Sequence, residues 1–298
     1  MTVYSCGSFF NENDLLELKL KEQWDFVDKF IILEVGETHT GNKKPYNFDR
    51  KRFDKYKSKL TYKTFDNFDN EIFKHSNLLD SFSIMDKTIE RRNTKDWIRE
   101  RFQGNYQKKI LIDEGAKDND LIIISALDEI VSKDAFERAI QRFENTSDVF
   151  SLGGPVTPNL TTTRPVFGFK LDLYVYKLNL FCKNEATSMM TEFNVLKKIL
   201  PTTIQGLSLS THTPIENGGW HFAWLDKTGG REVLAKQQSW AHARDILPNQ
   251  KIKYTHTTTE EALERLFLDF PIKKVEISTT THPASLINNI KDYEGYID

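Results

Sequence analysis

Strand-like and helical stretches alternate through the first half of the chain, and this alternation restricts the fold more than any other feature of the sequence. Residues 30–33 and 121–124 are compact apolar runs of strand length, which is typical of strands covered on both faces of a sheet. Residues 94–114 place apolar side chains at helical spacing. The pattern therefore predicts an α/β fold in which helices flank a central sheet.

The second half of the sequence is less regular, but it contains neither a low-complexity linker nor a repeat of fixed period. Residues 170–181 alternate enough to predict a strand or a hairpin. Within residues 257–261, two threonines precede two glutamates at the spacing of a helix-capping box. We therefore expect a single domain over residues 1–298, with a C-terminal helix that ends before Pro271.

The composition is that of an ordinary globular protein: 298 residues, 41 basic and 43 acidic side chains, and a formal net charge of −2. This near balance of basic and acidic side chains argues against a protein that coats nucleic acid, but it is compatible with a local basic patch. No apolar run approaches the roughly 20 residues that a membrane-spanning helix needs, and the N-terminus lacks a signal-peptide pattern. Cys6 and Cys182 are interpreted as free thiols in a reducing compartment, so a cytoplasmic location is expected.

Two adjacent carboxylates, Asp128 and Glu129, follow the apolar run at residues 121–124. They lie just beyond the C-terminal end of a predicted central strand, which is the edge where open α/β sheets bind ligands. Carboxylates in this position can hold a divalent cation such as Mg²⁺ or Mn²⁺, which in turn can bind a diphosphate. The alternative is an exposed acidic turn that only caps the next helix, where acidic residues are favourable in any case.

Two histidines and one polar loop supply further candidate ligand-binding groups. His221 and His242 each follow a tryptophan closely; an imidazole can complete a metal shell or donate to a phosphate, but either residue can equally be a half-buried structural histidine. The loop around Gly41, with its neighbouring lysines, could receive a phosphate, and Glu34 at the preceding strand end could accept from a ribose hydroxyl. Neither common glycine-rich phosphate fingerprint is present, so a solvated loop is the competing interpretation.

Four blocks of this sequence resemble glycosyltransferase family 17, the group that includes the transferase adding the bisecting N-acetylglucosamine to protein N-glycans. The blocks follow the order of the family and span most of residues 9–245. They are Phe10-Asn11-Glu12-Asn13-Asp14-Leu15-Leu16-Glu17-Leu18; Val27-Asp28-Lys29-Phe30-Ile31-Ile32-Leu33-Glu34 with Thr38-His39-Thr40-Gly41 and Lys44-Pro45; the strand that ends in Asp128-Glu129-Ile130; and Gly218-Gly219-Trp220-His221-Phe222 with Lys236 and His242. The segment Trp97-Ile98-Arg99-Glu100-Arg101-Phe102-Gln103 also has the family's appearance.

The resemblance implies a GT-A-like, Rossmann-like fold with a mixed, mostly parallel sheet flanked by helices. It also implies a nucleotide-sugar donor and inversion at the anomeric carbon. Residues 1–130 would then form the half that binds the nucleotide sugar, and residues 131–298 the acceptor-side half with the C-terminal helix.

By the same resemblance, a divalent cation, manganese or magnesium, would bridge the diphosphate of the donor. Asp128 is the leading metal ligand and His242 the second, while Glu129 would support the loop or bind the metal through water. Family members usually have an acid where this chain has Ala126. One carboxylate fewer is therefore available to the cation here.

The resemblance also assigns the residues that contact the substrates. Inversion needs a base that deprotonates the acceptor hydroxyl; Asp226 is the first candidate and Glu216 the second, although both could be ordinary loop acids. Trp220 and His221 are expected to shape the acceptor side. The residues expected to hold the donor are Glu34, Thr38, Gly41, Lys44, Arg99 and Gln103.

The predicted function is a metal-dependent inverting glycosyltransferase that moves a sugar, by family analogy from UDP-N-acetylglucosamine, to a hydroxyl of a cytosolic acceptor such as a glycan precursor. One alternative is transfer to a hydroxylated DNA base of a viral genome, which the charge balance supports only weakly. Another is a non-catalytic sugar- or nucleotide-binding protein, which Ala126 favours. The blocks around residues 218–242 argue against a metal-dependent phosphohydrolase.

Overall fold

The computed structural model describes residues 1–79, 94–145, 150–154, 157–162, 165–207, 214–244 and 257–298. The strands are β1 (Val3–Phe9), β2 (Lys29–Val35), β3 (Leu60–Phe65), β4 (Leu121–Ile124), β5 (Glu129–Val131), β6 (Phe150–Gly154), β7 (Thr157–Thr162), β8 (Val166–Val175), β9 (Leu180–Glu192), β10 (Ile215–Ala223) and β11 (Lys273–Lys274). The α-helices are α1 (Asn13–Gln23), α2 (Arg50–Phe53), α3 (Phe68–Lys74), α4 (Thr94–Asp113), α5 (Lys133–Asn145), α6 (Phe193–Leu196), α7 (Pro201–Leu207), α8 (Arg231–Ser239), α9 (Thr259–Asp269) and α10 (Ala284–Ile287). Short 3₁₀ helices cover Asp54–Tyr56, Ser76–Leu78, Ala241–Arg244 and Ile290–Tyr296.

Most strands join one sheet in the order β3–β2–β1–β4–β9–β8–β10–β5, and β11 pairs with β9. Strands β3, β2, β1 and β4 are parallel neighbours, as are β8 and β10. Strand β9 runs antiparallel to both β4 and β8, and β5 antiparallel to β10. Strands β6 and β7 form a separate hairpin. The predicted fold class, a mixed and mostly parallel sheet flanked by helices, is confirmed.

The central strands are buried on both faces because successive side chains enter different apolar layers. Phe30 and Ile32 of β2 pack in a layer that also contains apolar residues of α1. Ile31 and Leu33 pack in the opposite layer, with apolar residues of α4. Full burial of such a side chain stabilises the fold by roughly 1.5–3 kcal/mol. The double-sided burial predicted for the two compact apolar runs is therefore confirmed.

The long helices begin and end close to where the sequence predicts them. Helix α4 ends at Asp113, and α9 begins with the predicted capping box. In that box, Thr258 Oγ1 accepts from the Glu261 backbone N–H, while Glu261 Oε2 accepts from the Thr258 backbone N–H, both at 3.2 Å. The box satisfies N–H groups that have no partner within the helix.

Helix α1 begins without a side-chain cap. Its N-cap position is Glu12, whose side chain does not cap the helix. The Glu12 carboxylate instead accepts from the backbone N–H groups of Phe10 and Asn11, at 2.8 and 3.0 Å. These bonds fix the turn between β1 and α1, at the edge of the sheet where the candidate site lies.

No helix among the described residues is long and apolar enough to cross a membrane.

Both cysteines are free thiols, as predicted. Cys6 is buried in β1, and this burial raises the pKa of its thiol to about 12. Cys6 is therefore protonated at neutral pH and inert as a nucleophile.

Candidate active site

A cavity of about 390 Å³ opens at the C-terminal ends of the parallel strands β1, β2 and β4. The loops that follow parallel strands diverge at this edge, which leaves room for a ligand. The walls come from these loops together with α4, β10 and α8. The polar side chains that line the cavity include Thr38, Lys44, Gln103, Asp128, His221 and Lys236.

A buried lysine donates hydrogen bonds to the turn that carries Asp128 and so stabilises it. Lys19 of α1 is 1% exposed, and its ammonium donates to Ser125 Oγ, to the carbonyl of Ala126 and to the carbonyl of Glu129, at 2.7, 2.7 and 2.8 Å. Burial lowers the pKa of Lys19 to about 8, although the nearby carboxylates oppose this shift. Lys19 therefore remains a cation at neutral pH.

The Glu129 side chain also stabilises the turn. Its Oε2 accepts from the Ala126 backbone N–H at 3.0 Å and from Ser188 Oγ at 2.9 Å. Glu129 therefore supports the loop, which is one of the two roles expected for it. The 125–129 turn is tied to α1 and to β9 at once.

Asp128 lies between two cationic side chains. Its Oδ2 is 3.1 Å from Lys236 Nζ, and its Oδ1 is 3.7 Å from His221 Nε2. The other ring nitrogen of His221, Nδ1, is 2.5 Å from Glu185 Oε1. This cluster brings together the β4–β5 turn, α8, β10 and β9.

Neighbouring charges in this cluster determine the protonation states of Asp128 and His221. Burial raises the pKa of Asp128, but Lys236 and His221 more than offset it and hold that pKa well below its usual range. Burial lowers the pKa of His221, but its partners Asp128 and Glu185 raise it to about 10. His221 is therefore an imidazolium and Asp128 a carboxylate at neutral pH.

The three predicted metal ligands do not converge. Glu129 is turned toward the loop and Ser188, and the His242 ring packs against Trp97 and Trp240, with centroids 4.4 Å apart in both pairs. In the part of the chain that the structure describes, no group of three or more His, Cys, Asp or Glu side chains is arranged to hold a metal ion.

The surroundings of Asp128 also oppose a metal ion. At about 4 Å and an effective dielectric constant of about 20, two unit charges interact by about 4 kcal/mol. A divalent ion on Asp128 would meet this repulsion from both Lys236 and His221. The described residues therefore do not fit a divalent cation as a set, and the cation stays a prediction from the sequence.

The six predicted donor-binding residues divide into two groups. Thr38, Lys44 and Gln103 line the cavity. Glu34 is fully buried and accepts from Lys44 Nζ at 2.5 Å and from the Asn47 backbone N–H at 2.7 Å, so it organises the loop after β2.

Gly41 and Arg99 also support this loop rather than line the cavity. Arg99 is 7% exposed and donates to the His39 carbonyl at 3.2 Å. Gly41 has a φ of +86°, and a Cβ at this position would lie 2.5 Å from Arg99 Nη1. Glycine is therefore required where the loop crosses the guanidinium.

The two predicted acceptor-side residues point in different directions, because neighbouring strand residues alternate. His221 lines the cavity. Trp220 lies among the apolar side chains around the C-terminal segment, and its Nε1 donates to the Thr281 carbonyl at 2.9 Å. Trp220 is therefore a packing residue.

Neither predicted base lies at the cavity, which corrects both assignments. Asp226 is fully buried, and its carboxylate accepts from the backbone N–H groups of Thr228, Glu232 and Val233 at 2.5, 2.8 and 3.2 Å. It therefore fixes the first turn of α8. Glu216 has a 61% exposed side chain and pairs with Lys170 at 3.1 Å on another surface.

Several residues that line or support the cavity had no role assigned from the sequence. Lys236 appeared only as part of a family block, and Glu185 lies in the middle of a strand with no distinguishing neighbours. Glu100 of α4 lines the cavity, and its Oε2 is enclosed yet accepts no hydrogen bond from the described residues. A signal did exist for Lys19, since it is a lysine between two leucines in a leucine-rich segment.

The family model of glycosyltransferase family 17 matches residues 2–152, which is half of the chain and includes β1, β2 and the acidic turn. The chain belongs to glycosyltransferase family 17. The resemblance found in the sequence is thereby confirmed, and glycosyl transfer is the activity of the family. No curated protein matches the chain.

Among solved structures, the family 17 chain is similar to mouse xyloside xylosyltransferase 1 in its apo form. The two share 10% sequence identity with a TM-score of 0.28, over 73% of this chain and 78% of that chain. A likeness this weak adds nothing to the assignment made from the family.

Proposed function

We propose that this family 17 glycosyltransferase binds a nucleotide sugar in the cavity at the C-terminal ends of β1, β2 and β4, and transfers the sugar to an acceptor hydroxyl. The observation that carries the proposal is the position of Asp128 with Lys236 and His221 on the cavity floor, at the ligand-binding edge of the sheet. By family analogy the donor is UDP-N-acetylglucosamine and the transfer inverts the anomeric carbon.

The cavity has separate places for the parts of such a donor. Thr38, Lys44 and Gln103 form its polar side and would contact the nucleoside. The diphosphate would lie above the β4–β5 turn. Trp224 and Trp240, whose rings meet edge to face with centroids 4.7 Å apart, form an aromatic wall for the sugar and the acceptor.

The transfer exchanges one bond for another. The bond between the anomeric carbon and the β-phosphate oxygen breaks, and its electron pair stays on that oxygen. The acceptor oxygen forms a new bond to the anomeric carbon from the opposite face, and its proton passes to a carboxylate. We assign the role of the base to Glu100, whose Oε2 accepts no hydrogen bond from the described residues. Each other carboxylate at the cavity already accepts a hydrogen bond or forms an ion pair; these are Glu12, Glu37, Asp128 and Glu129.

The test is to incubate the protein with a panel of nucleotide sugars and measure release of the nucleoside diphosphate, with and without candidate hydroxyl acceptors. We expect one donor to be cleaved, and Asp128→Asn and Glu100→Gln each to lower turnover by roughly 10²–10³. The matched control Glu216→Gln changes an exposed carboxylate away from the cavity and should behave like the wild type.

Each part of the proposal has its own contradicting result. Binding of a nucleotide sugar without cleavage would make the protein a binding module rather than a transferase. Wild-type turnover in Glu100→Gln, with lost turnover in Asp128→Asn, would reject only the assignment of the base.

A further inference from the structure

Lys236 is held rigidly on the cavity floor. Its helix, α8, is fixed at the first turn by Asp226, and the ammonium lies 5.4 Å from the centre of the Trp224 ring. The ammonium is 3.1 Å from Asp128 Oδ2 and 3.6 Å from Glu12 Oε1. The side chain is still 29% exposed, so the cation faces the cavity as well as its counter-ions.

His221 approaches the same carboxylate at its other oxygen, Oδ1. Glu185 fixes the ring through Nδ1 at 2.5 Å, which directs Nε2 toward Asp128 at 3.7 Å. Two cations from different elements thus converge on Asp128. Asp128 holds both cationic side chains in place, and the Lys236 ammonium, with three N–H groups and two carboxylate neighbours, can donate to a further anion.

The turn offers few free oxygen ligands to a metal ion. Divalent ions such as Mg²⁺ are bound by several oxygen ligands, but residue 126 is an alanine, and Glu129 Oε2 already accepts from the Ala126 backbone N–H and from Ser188 Oγ. An ammonium needs only one oriented counter-ion, which Asp128 supplies.

We propose that Lys236 and His221 bind the diphosphate of the donor in place of a divalent cation, so that this chain cleaves its donor without metal. The inference rests on the proposed function and specifies how the leaving group is stabilised. As the bond from the anomeric carbon to the phosphate oxygen breaks, the charge left on the diphosphate is met by an N–H group of the ammonium and by the positive charge of the imidazolium, whose two N–H groups point to Glu185 and Asp128. Neither cation needs to give up its proton.

The experiment is isothermal titration of the full chain with UDP and with GDP, each once in EDTA and once in Mn²⁺, alongside turnover of the donor panel under the same two conditions. We expect affinity and turnover to be the same in EDTA and in Mn²⁺. Mn²⁺ alone, followed by electron paramagnetic resonance, should not bind the protein.

Three lysine variants sharpen the test. Lys236→Met should weaken nucleotide binding by about 10–100-fold in both conditions, since one charge-assisted contact is lost. Lys236→Arg keeps the charge and should retain most of the affinity. Lys227→Met is the matched control, because Lys227 pairs with Asp14 away from the cavity. Thermal melting of each variant verifies that it is folded.

The outcomes separate this proposal from the proposed function. If binding and cleavage by the wild type require Mn²⁺, or if Lys236→Met binds as tightly as the wild type, the metal-free mechanism is overturned while the transferase assignment stands. If neither nucleotide binds and no donor is cleaved under either condition, the proposed function falls and this mechanism falls with it.

Discussion

Lys19 lies beneath the acidic turn, and Lys19→Met removes its ammonium while keeping most of the side-chain volume. Three acceptors lose their donor: one hydroxyl and two carbonyls within 2.7–2.8 Å. A buried acceptor left without a partner costs about 1–3 kcal/mol, so the gross loss is about 3–9 kcal/mol.

Part of this loss is offset because the variant no longer buries a charge. The pKa of Lys19 falls from 10.5 to about 8, chiefly through burial, which corresponds to about 3 kcal/mol. From the middle of the gross range, the net loss in the free energy of unfolding is about 3 kcal/mol. The melting temperature of a chain this long should then fall by about 5–10 °C.

The assay is urea unfolding at pH 7 with a matched control on the same helix. Lys21 is two residues further along α1, and its 25% exposed side chain is 4.0 Å from Glu17. Lys21→Met should therefore change stability by less than about 0.5 kcal/mol. A loss below about 1 kcal/mol in Lys19→Met would refute the idea that this ammonium holds the turn. Turnover in the variant should also fall, because Asp128 is no longer fixed.

Two further results follow from the site. Asp226→Ala removes the carboxylate that fixes the first turn of α8 and should lower the free energy of unfolding by about 1–2 kcal/mol. Asp226→Asn keeps an accepting oxygen and should transfer sugar at the wild-type rate. A large loss of turnover in Asp226→Asn would restore Asp226 as the base. The pKa of His221 is raised to about 10, so its contribution to stability should be complete below pH 6.5 and be lost as the pH rises through 10. Melting curves of the wild type and His221→Gln across this range should converge at high pH; parallel curves would contradict the shift.

Much of the fold was predictable because the decisive patterns are local. The apolar run at residues 121–124 is a strand whatever lies around it, and the capping box at Thr258 needs only residues three positions apart. Strand register was not predictable. Gly219 has a φ of +134°, and a Cβ there would lie 2.0 Å from the Ile130 carbonyl, so the glycine reflects a close approach to β5 rather than to a ligand.

The candidate site was predictable only where it follows the chain. The position of Asp128 at the cavity was predictable because residues that follow a central parallel strand lie beyond its C-terminal end. Its main partner, Lys236, is 108 residues away in the sequence, and no local pattern connects the two. Asp226 and Glu216 flank a family block, but the Asp226 carboxylate is bound to the first turn of α8 and Glu216 faces solvent.

The sequence by itself determined the helices, the buried strands, the edge of the sheet at which the cavity lies, and membership in glycosyltransferase family 17. Only the tertiary structure decided which charged groups face the cavity. The physical reason is that the role of a carboxylate or an ammonium depends on the groups within about 4 Å of it. For Asp128 those groups come from α8 and β10, and packing alone brings them together.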